Sequence, residues 1–325
     1  MQKVLRKMAV VLGAILLIIG LIVAYVCVLL PNTGPPPKLQ VTLSPEKIAR
    51  GQYLANHVCV CMDCHSHRDY GKFSGPPVAG EPMGGGGESF TPEMGFPGTF
   101  YAKNITPYHL KSWTDGEIFR AITTGQTKEG RAIFPLMPYD AYGKMSEDDI
   151  TSIIAYLRTL APVQRDVPSS TATFPVNILL HTMPHKASPQ PAPARNNVIA
   201  YGKYLLAAAG CKDCHTKYEN GKFTGTPLAG GRVFALPQGI LQSSNLTPDQ
   251  ATGIGSWTES QFVGRFKLYA DSTGRNIPTS PKDFNTPMAW TMYSGMDTSD
   301  LKAIYAYLHS LAPVHNTVVK FVPAK

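Results

Sequence analysis

The sequence predicts a mainly α protein: an apolar N-terminal helix followed by two copies of one loop-rich module. Three observations carry this. Met8 to Leu30 is an uncharged run of 23 residues. Short landmarks between Gly51 and Asp115 recur between Gly202 and Glu259. A helical apolar pattern closes each copy. At 325 residues the chain is long enough for about two domains. Its 29 glycines and 28 prolines lack any triplet period, which excludes collagen and points to long irregular loops.

As a helix, the first apolar run would reach roughly 35 Å, enough to cross the hydrocarbon core of a bilayer. It ends in Val28-Leu29-Leu30-Pro31 rather than in small residues, so it reads as an uncleaved anchor and not a signal peptide. Lys3, Arg6 and Lys7 precede it, and this asymmetry puts the N-terminus in the cytoplasm of a bacterium and the modules outside its inner membrane. Cys27, inside the run, reads as a buried thiol. Those three basic residues also account for part of the net charge of +8 and the pI near 9.1. No Lys/Arg run elsewhere suggests nucleic acid.

The predicted organisation is an anchor over 1–30, a stiff proline-rich spacer over 31–44, a first domain over 45–162, an interdomain strap over 163–197 and a second domain over 198–325. The repeat is visible in Gly51-Gln52-Tyr53-Leu54 and Gly202-Lys203-Tyr204-Leu205, and in the Gly-Lys-Phe runs at 71–73 and 221–223. It continues in Asn104-Ile105-Thr106-Pro107 and Asn245-Leu246-Thr247-Pro248, then in Trp113-Thr114-Asp115 and Trp257-Thr258-Glu259. A period of 141–151 residues is a tandem domain duplication, far above that of a solenoid. Ser44-Pro45-Glu46 signals the start of a first helix. The last helices carry Ile150, Ile153, Ile154, Leu157 and Leu160, and Leu301, Ile304, Tyr305, Leu308 and Leu311, opening at Ser146 and Thr298 and stopping at Leu-Ala-Pro.

The chemistry lies in Val58-Cys59-Val60-Cys61-Met62-Asp63-Cys64-His65 and in Gly210-Cys211-Lys212-Asp213-Cys214-His215. A disulfide suits the compartment but leaves the adjacent histidine unexplained. Structural zinc needs four ligands, and each module offers one Cys-x-x-Cys and one adjacent histidine. A thioredoxin-like pair calls for a βαβ context that is missing. Covalent haem accounts for all of it: two thiols three residues apart meet the two vinyl groups of one porphyrin edge, and the histidine coordinates iron. The expected cofactors are therefore two covalently attached c-type haems, on Cys61, Cys64 and His65 and on Cys211, Cys214 and His215. Cys59 has no counterpart and reads as a spectator thiol.

Each module also places a proline-flanked methionine before its last helix, Met137 and Met288, 72 and 73 positions after the histidine. A rigid loop holding a thioether is what a Met/His iron site requires, and such ligation raises the reduction potential. Met145 and Met296 read as core, and His67 and His109, without counterparts, as surface residues. Six-coordinate irons favour electron transfer over catalysis. The alternative function is a dihaem enzyme such as a peroxidase, which needs an open iron position. Trp113, Trp257, Asn104 and Asn245 recur at equal places and are candidate hydrogen-bond donors to haem propionates, or else ordinary packing and turn residues.

These residues resemble class I cytochrome c domains. More narrowly, Cys-x-x-Cys-His, Asn-[Ile/Leu]-Thr-Pro, Trp-Thr-[Asp/Glu], Met137-Pro138-Tyr139 with Tyr142, and the Ala-Tyr-Leu of the last helices resemble the multihaem cytochrome c subunit of bacterial membrane-bound alcohol, gluconate and aldehyde dehydrogenases. The likeness covers nearly all of 45–315, including Phe174-Pro175-Val176-Asn177-Ile178 of the strap. It implies that Gly51 and Gly202 let the first helix of each module cross the last near Tyr156 and Tyr307. It also implies redox partner proteins: electrons pass from a periplasmic dehydrogenase to quinone or an oxidase, in a larger membrane-bound respiratory complex. Such subunits carry three modules, whereas this chain carries two and an N-terminal anchor.

Overall fold

The computed structural model describes residues 1–280 and 283–324; the predicted end of the second domain at Lys325 lies outside the described residues. It is mainly helical, with small antiparallel sheets. Helix α1, Gln2–Leu29, is long and apolar enough to cross a membrane, and none of its apolar window is buried by the rest of the chain.

The first module opens with α2, Pro45–Tyr53, capped by Ser44 Oγ accepting from the Lys47 N–H. A π-helical turn, Leu54–Val58, runs into the short helix α3, Cys61–Cys64. The middle of the module holds α4, Pro107–Leu110; α5, Asp115–Thr124; and α6, Tyr139–Tyr142. It closes with α7, Glu147–Thr159, capped by Ser146. The strap contributes α8, Val176–Leu179, and a 3₁₀ turn, Leu180–Thr182. The second module repeats the scheme with α9, Val198–Ala208; α10, Cys211–Cys214; α11, Glu259–Lys267; α12, Ser272–Arg275; α13, Trp290–Tyr293; and α14, Thr298–His309. Asp297, not Thr298, occupies the cap position of α14.

The crossings of α2 on α7 and α9 on α14 build the two cores. A Cβ on Gly51 would lie 1.8 Å from the carbonyl oxygen of Ser152, and one on Gly202 would lie 1.9 Å from that of Ala303. Only glycine allows such backbone contact. The crossing points thus sit one turn before Tyr156 and Tyr307, because the small residues Ser152 and Ala303 let the helices meet there. Tyr156 still takes part, with its hydroxyl 3.2 Å from Asn56 Nδ2.

The duplication runs past the predicted boundary at 162. Strands β1 (Ser89–Phe90), β2 (Gly98–Tyr101) and β3 (Thr171–Ala172) form an antiparallel sheet in which the start of the strap adds the edge strand. The second module holds a hairpin, β4 (Tyr218–Glu219) and β5 (Lys222–Phe223), and a sheet of β6 (Val233–Leu236), β7 (Gly239–Gln242) and β8 (Phe321–Pro323). There the C-terminal strand adds to β7 as β3 adds to β2. In both copies the chain leaving Leu-Ala-Pro has unpaired backbone groups, and the nearest hairpin edge satisfies them.

The proline-rich segment is docked rather than standing clear as a spacer. Gln126 Nε2 donates to Pro31 O at 2.7 Å, and Thr33 Oγ1 donates to Gln126 Oε1 at 2.6 Å. The Val41 N–H donates to Asp115 Oδ2 at 2.8 Å. Gly116 leaves room for Pro37, whose carbonyl oxygen would lie 1.8 Å from any Cβ there.

The modules clasp each other reciprocally. Tyr53 Oη donates to Asp300 Oδ2 at 2.8 Å and accepts from the Asp297 N–H at 3.0 Å. Tyr204 Oη donates to Asp149 Oδ2 at 2.6 Å and accepts from the Ser146 N–H at 3.2 Å. Each tyrosine of the repeated Gly-x-Tyr-Leu therefore plugs the N-terminus of the other module's last helix, where unpaired N–H groups and a first-turn carboxylate await partners. Burial holds both phenols above their ordinary range, so they stay protonated donors.

Candidate haem-attachment sites

Gly51 to Cys61 is one residue longer than Gly202 to Cys211. The π-helical turn at Leu54–Val58 absorbs that residue, since a π-bulge is how a helix accommodates one insertion. From Cys59 onward the copies are back in register, and Cys59 matches Ala209. Both are buried, and Cys59 Sγ lies 3.9 Å from Met145 Sδ.

Each attachment turn starts from a left-handed residue: Val60 at φ 45° and Gly210 at φ 64°. That conformation breaks the first helix and starts a single new turn. The turn brings the two cysteines, three positions apart, to one face. Valine is strained there and glycine is not. Gly210→Val should therefore destabilise the protein by about 1–2 kcal/mol through backbone strain alone, because a Cβ at Gly210 meets only Asp213 Oδ2, at 4.0 Å. Denaturant midpoints would check this, with Gly210→Ala expected to fall between.

The histidines end their turns in matched settings. His65 Nδ1 lies 2.6 Å from Lys103 O, and His215 Nδ1 lies 2.8 Å from Ser244 O. A ring that donates from Nδ1 leaves Nε2 with its lone pair free to bind a metal. Burial pushes both imidazoles below their ordinary range, against the opposing effect of the carbonyl bond, and so keeps them neutral. The main chain is gripped too: the Gly86 and Gly230 N–H groups donate to His65 O and His215 O, each at 2.8 Å.

Lys103 and Ser244 immediately precede the repeated asparagines, and this gives Asn104 and Asn245 their structural part. Asn104 Oδ1 accepts from Thr106 N and Oγ1, while Nδ2 donates to Val163 O and Arg165 O. Asn245 Oδ1 accepts from Thr247 N and Oγ1, while Nδ2 donates to Thr252 Oγ1 and Val314 O. Both N–H groups of each side-chain amide are committed, so neither side chain has a donor left for another group. They hold the loop whose carbonyl orients the histidine. Trp113 and Trp257 pack against the core with their backbone carbonyls bonded, to Arg158 and to Tyr305 Oη.

Met137 and Met288 are both half-buried against the same core as Cys61 and Cys211. Tyrosines tie each methionine loop to its attachment turn: Tyr142 Oη donates to Cys59 O at 3.0 Å and Tyr293 Oη to Ala209 O at 2.6 Å. Met145 and Met296 are fully buried core residues. His67 is exposed beside Glu81, and His109 packs near Trp113.

The donor set discriminates among the chemistries. Cys61, Cys64, Cys211 and Cys214 are not in disulfides. Burial pushes the Cys61, Cys64 and Cys211 thiols up to about 12, opposite to the depressed value of a redox-active or metal-binding thiolate. Among the described residues no group of three or more His, Cys, Asp or Glu side chains converges as a metal site. Neutral thiols on one turn, followed by an imidazole with a free Nε2, fit a haem bound through thioethers. Sequence reasoning missed the two carbonyl anchors and the tyrosine ties. Their only signal was the recurrence of Asn-x-Thr-Pro, Tyr142 and Tyr293.

No family model matches the chain. It is 28% identical over 284 residues to the gluconate 2-dehydrogenase cytochrome c subunit of Pantoea cypripedii, covering 81% of this chain and 59% of that one. It is 28% identical over 279 residues to the fructose dehydrogenase cytochrome subunit of Gluconobacter japonicus, covering 81% and 52%. A diheme cytochrome c-type protein of Cereibacter sphaeroides is 28% identical over 266 residues, covering 76% and 80%. The chain thus spans somewhat over half the length of the first two relatives. It is related to the cytochrome c subunits of dehydrogenases, and that relationship supports a general role in electron transfer rather than catalysis.

Proposed function

We propose that the chain is a membrane-anchored dihaem c-type cytochrome. Cys61, Cys64, His65 and Met137 would hold one haem, and Cys211, Cys214, His215 and Met288 the other. When bound, haem iron supplies reversible one-electron exchange. The protein's own part is to hold two ligands rigidly, so that oxidation and reduction need little rearrangement. The observation that carries this reading is the duplicated Cys-x-x-Cys-His turn with each histidine Nδ1 on a backbone carbonyl. Trp113 and Trp257 take the propionate role in this reading, which the committed amides of Asn104 and Asn245 do not serve.

The names of the relatives support a dehydrogenase as electron donor; quinone or a terminal oxidase as acceptor is what the family resemblance implies. The asymmetry of Lys3, Arg6 and Lys7 supports a cytoplasmic N-terminus and periplasmic modules. Mass spectrometry of the native protein should find two added tetrapyrroles, and reductive titration two low-spin haems with a methionine–iron band at the red end. An unmodified mass, or high-spin ferric haem at rest, would overturn the proposal. Peroxide turnover above that of free haem would favour the peroxidase alternative.

The two methionine loops are not held alike. Ser74 of the first module grips the second: its Oγ donates to Met288 O at 2.5 Å and accepts from the Trp290 N–H at 3.0 Å. Its N–H donates to Asn285 Oδ1 at 2.8 Å. The corresponding Gly-Lys-Phe stretch of the second module has Lys222 and Phe223 exposed. Ser74→Ala is therefore expected to weaken the methionine–iron band of one haem and lower one potential, leaving the other unchanged. A redox titration resolving two waves checks this.

A further inference from the structure

We propose that the strap turn Phe174–Thr182 is an interfacial membrane contact, seated in the headgroup layer of the bilayer that α1 crosses. The inference rests on reading α1 as a membrane span and adds a second, non-spanning contact.

The geometry runs outward from the end of α1. Starting after Lys7, the apolar part of α1 reaches roughly 33 Å at 1.5 Å per residue. It therefore spans a hydrocarbon core of about 30 Å and ends near the far boundary. The strap turn sits against that end. His181 Nδ1 is 2.9 Å from the carbonyl oxygen of Leu30, and both α8 and the 3₁₀ turn at Leu180–Thr182 pack on α1. The layer of headgroups adds roughly 5–8 Å on each side of the core. A side chain within hydrogen-bond reach of Leu30 is inside that layer.

What the turn presents there is apolar. Phe174 is 79% exposed and Leu179 is 49% exposed, although neither is charged or polar. Val176, Ile178 and Leu180 are half-buried beside them. Tyr25, Val28 and Leu29 on the last turns of α1 are exposed in the same neighbourhood, and on the reading of α1 as a span lipid covers them. The apolar surface of the turn is therefore continuous with the surface that lipid covers on that reading. A turn that carries both an aromatic ring, Phe174, and an imidazole, His181, suits the boundary between acyl chains and headgroups.

The docking of Pro31 and Thr33 on Gln126 makes this contact directional. The chain leaves α1 and is bonded to the first module within three residues, so α1 is no free tether. Two rigid contacts, α1 and the strap turn, fix which face of the modules lies toward the membrane.

The test uses the full-length holoprotein in vesicles of phosphatidylethanolamine and phosphatidylglycerol. Benzoylphenylalanine is placed at Phe174, at Leu179 or, as a control, at Phe223, an exposed apolar residue on the β4–β5 hairpin. After irradiation, mass spectrometry should find lipid adducts at 174 and 179 several-fold above those at 223. Equal adduct levels at all three positions would overturn the proposal. So would adducts at 174 with another polypeptide instead of lipid in native membranes. An alkaline carbonate wash separates the two readings: protein retained without adducts at 174 defeats only the strap contact, whereas protein released defeats the anchor as well.

Discussion

Gly202→Ala is expected to destabilise the second module by about 2 kcal/mol net, and Gly51→Ala the first by a similar amount. Two effects oppose each other at each site. Alanine in place of a helical glycine gains up to about 1 kcal/mol of helix propensity. Against this, the new methyl would lie 1.9 Å from the carbonyl oxygen of Ala303, or 1.8 Å from that of Ser152. The atom met is backbone, so no side chain can rotate away, and the helices must move apart along their crossing. Overpacking costs about 1–3 kcal/mol where side chains can adjust, and more where they cannot. Gly264→Ala in α11 is the control, because nothing lies within 4 Å of a Cβ there. It should gain up to about 1 kcal/mol. Denaturant titration of the three variants gives the signs directly. If Gly202→Ala and Gly264→Ala both stabilise, the backbone crossing is not as close as described.

The double variant Tyr53→Phe/Tyr204→Phe is expected to lose roughly 3–6 kcal/mol, from two hydrogen bonds to charged groups worth about 1.5–3 kcal/mol each. Phenylalanine keeps the ring and its packing and removes only the hydroxyls. Asp300, with a side chain 1% exposed, then keeps only Arg195, at 3.3 Å, among the described residues. Asp149 keeps Arg50, with Nε at 2.8 Å and Nη2 at 3.1 Å. Tyr53→Phe should therefore cost more than Tyr204→Phe. The loss falls on the contact between modules, so the double variant should unfold in two steps where the parent unfolds in one. Both measurements come from one set of unfolding curves followed at two wavelengths. A single unshifted transition in the double variant would show that the remaining contacts, those of Ser74 with Met288 and Trp290 among them, hold the modules together without the tyrosine hydroxyls.

Much of the plan was legible before any coordinates. The apolar run, the two copies and their closing helices follow from local composition and period, and α1, α2, α7, α9 and α14 appear where those signals lie. The one-residue difference between Gly51–Cys61 and Gly202–Cys211 could be counted, but its form as a π-helical turn could not. The proline-rich stretch read as a spacer because proline stiffens a free chain; its contacts with Gln126 and Asp115 lie more than seventy residues away. Asn104 and Asn245 read either as donors to a cofactor or as turn-forming residues, because a recurring amide suits both roles. Their amides bond the carbonyls of Val163 and Val314, which have no side-chain signature.

By itself, then, the sequence determined what is local: a helix long and apolar enough to span a membrane, two Cys-x-x-Cys-His turns, and methionines stiffened by neighbouring proline. Only the tertiary structure decided which carbonyl turns each imidazole, that each tyrosine caps the other module's last helix, that Ser74 holds the far methionine loop, and that the strap lies at the foot of α1. Those contacts join residues 29 to 247 positions apart. Their geometry is set by how whole elements pack, and no short stretch of residues encodes that.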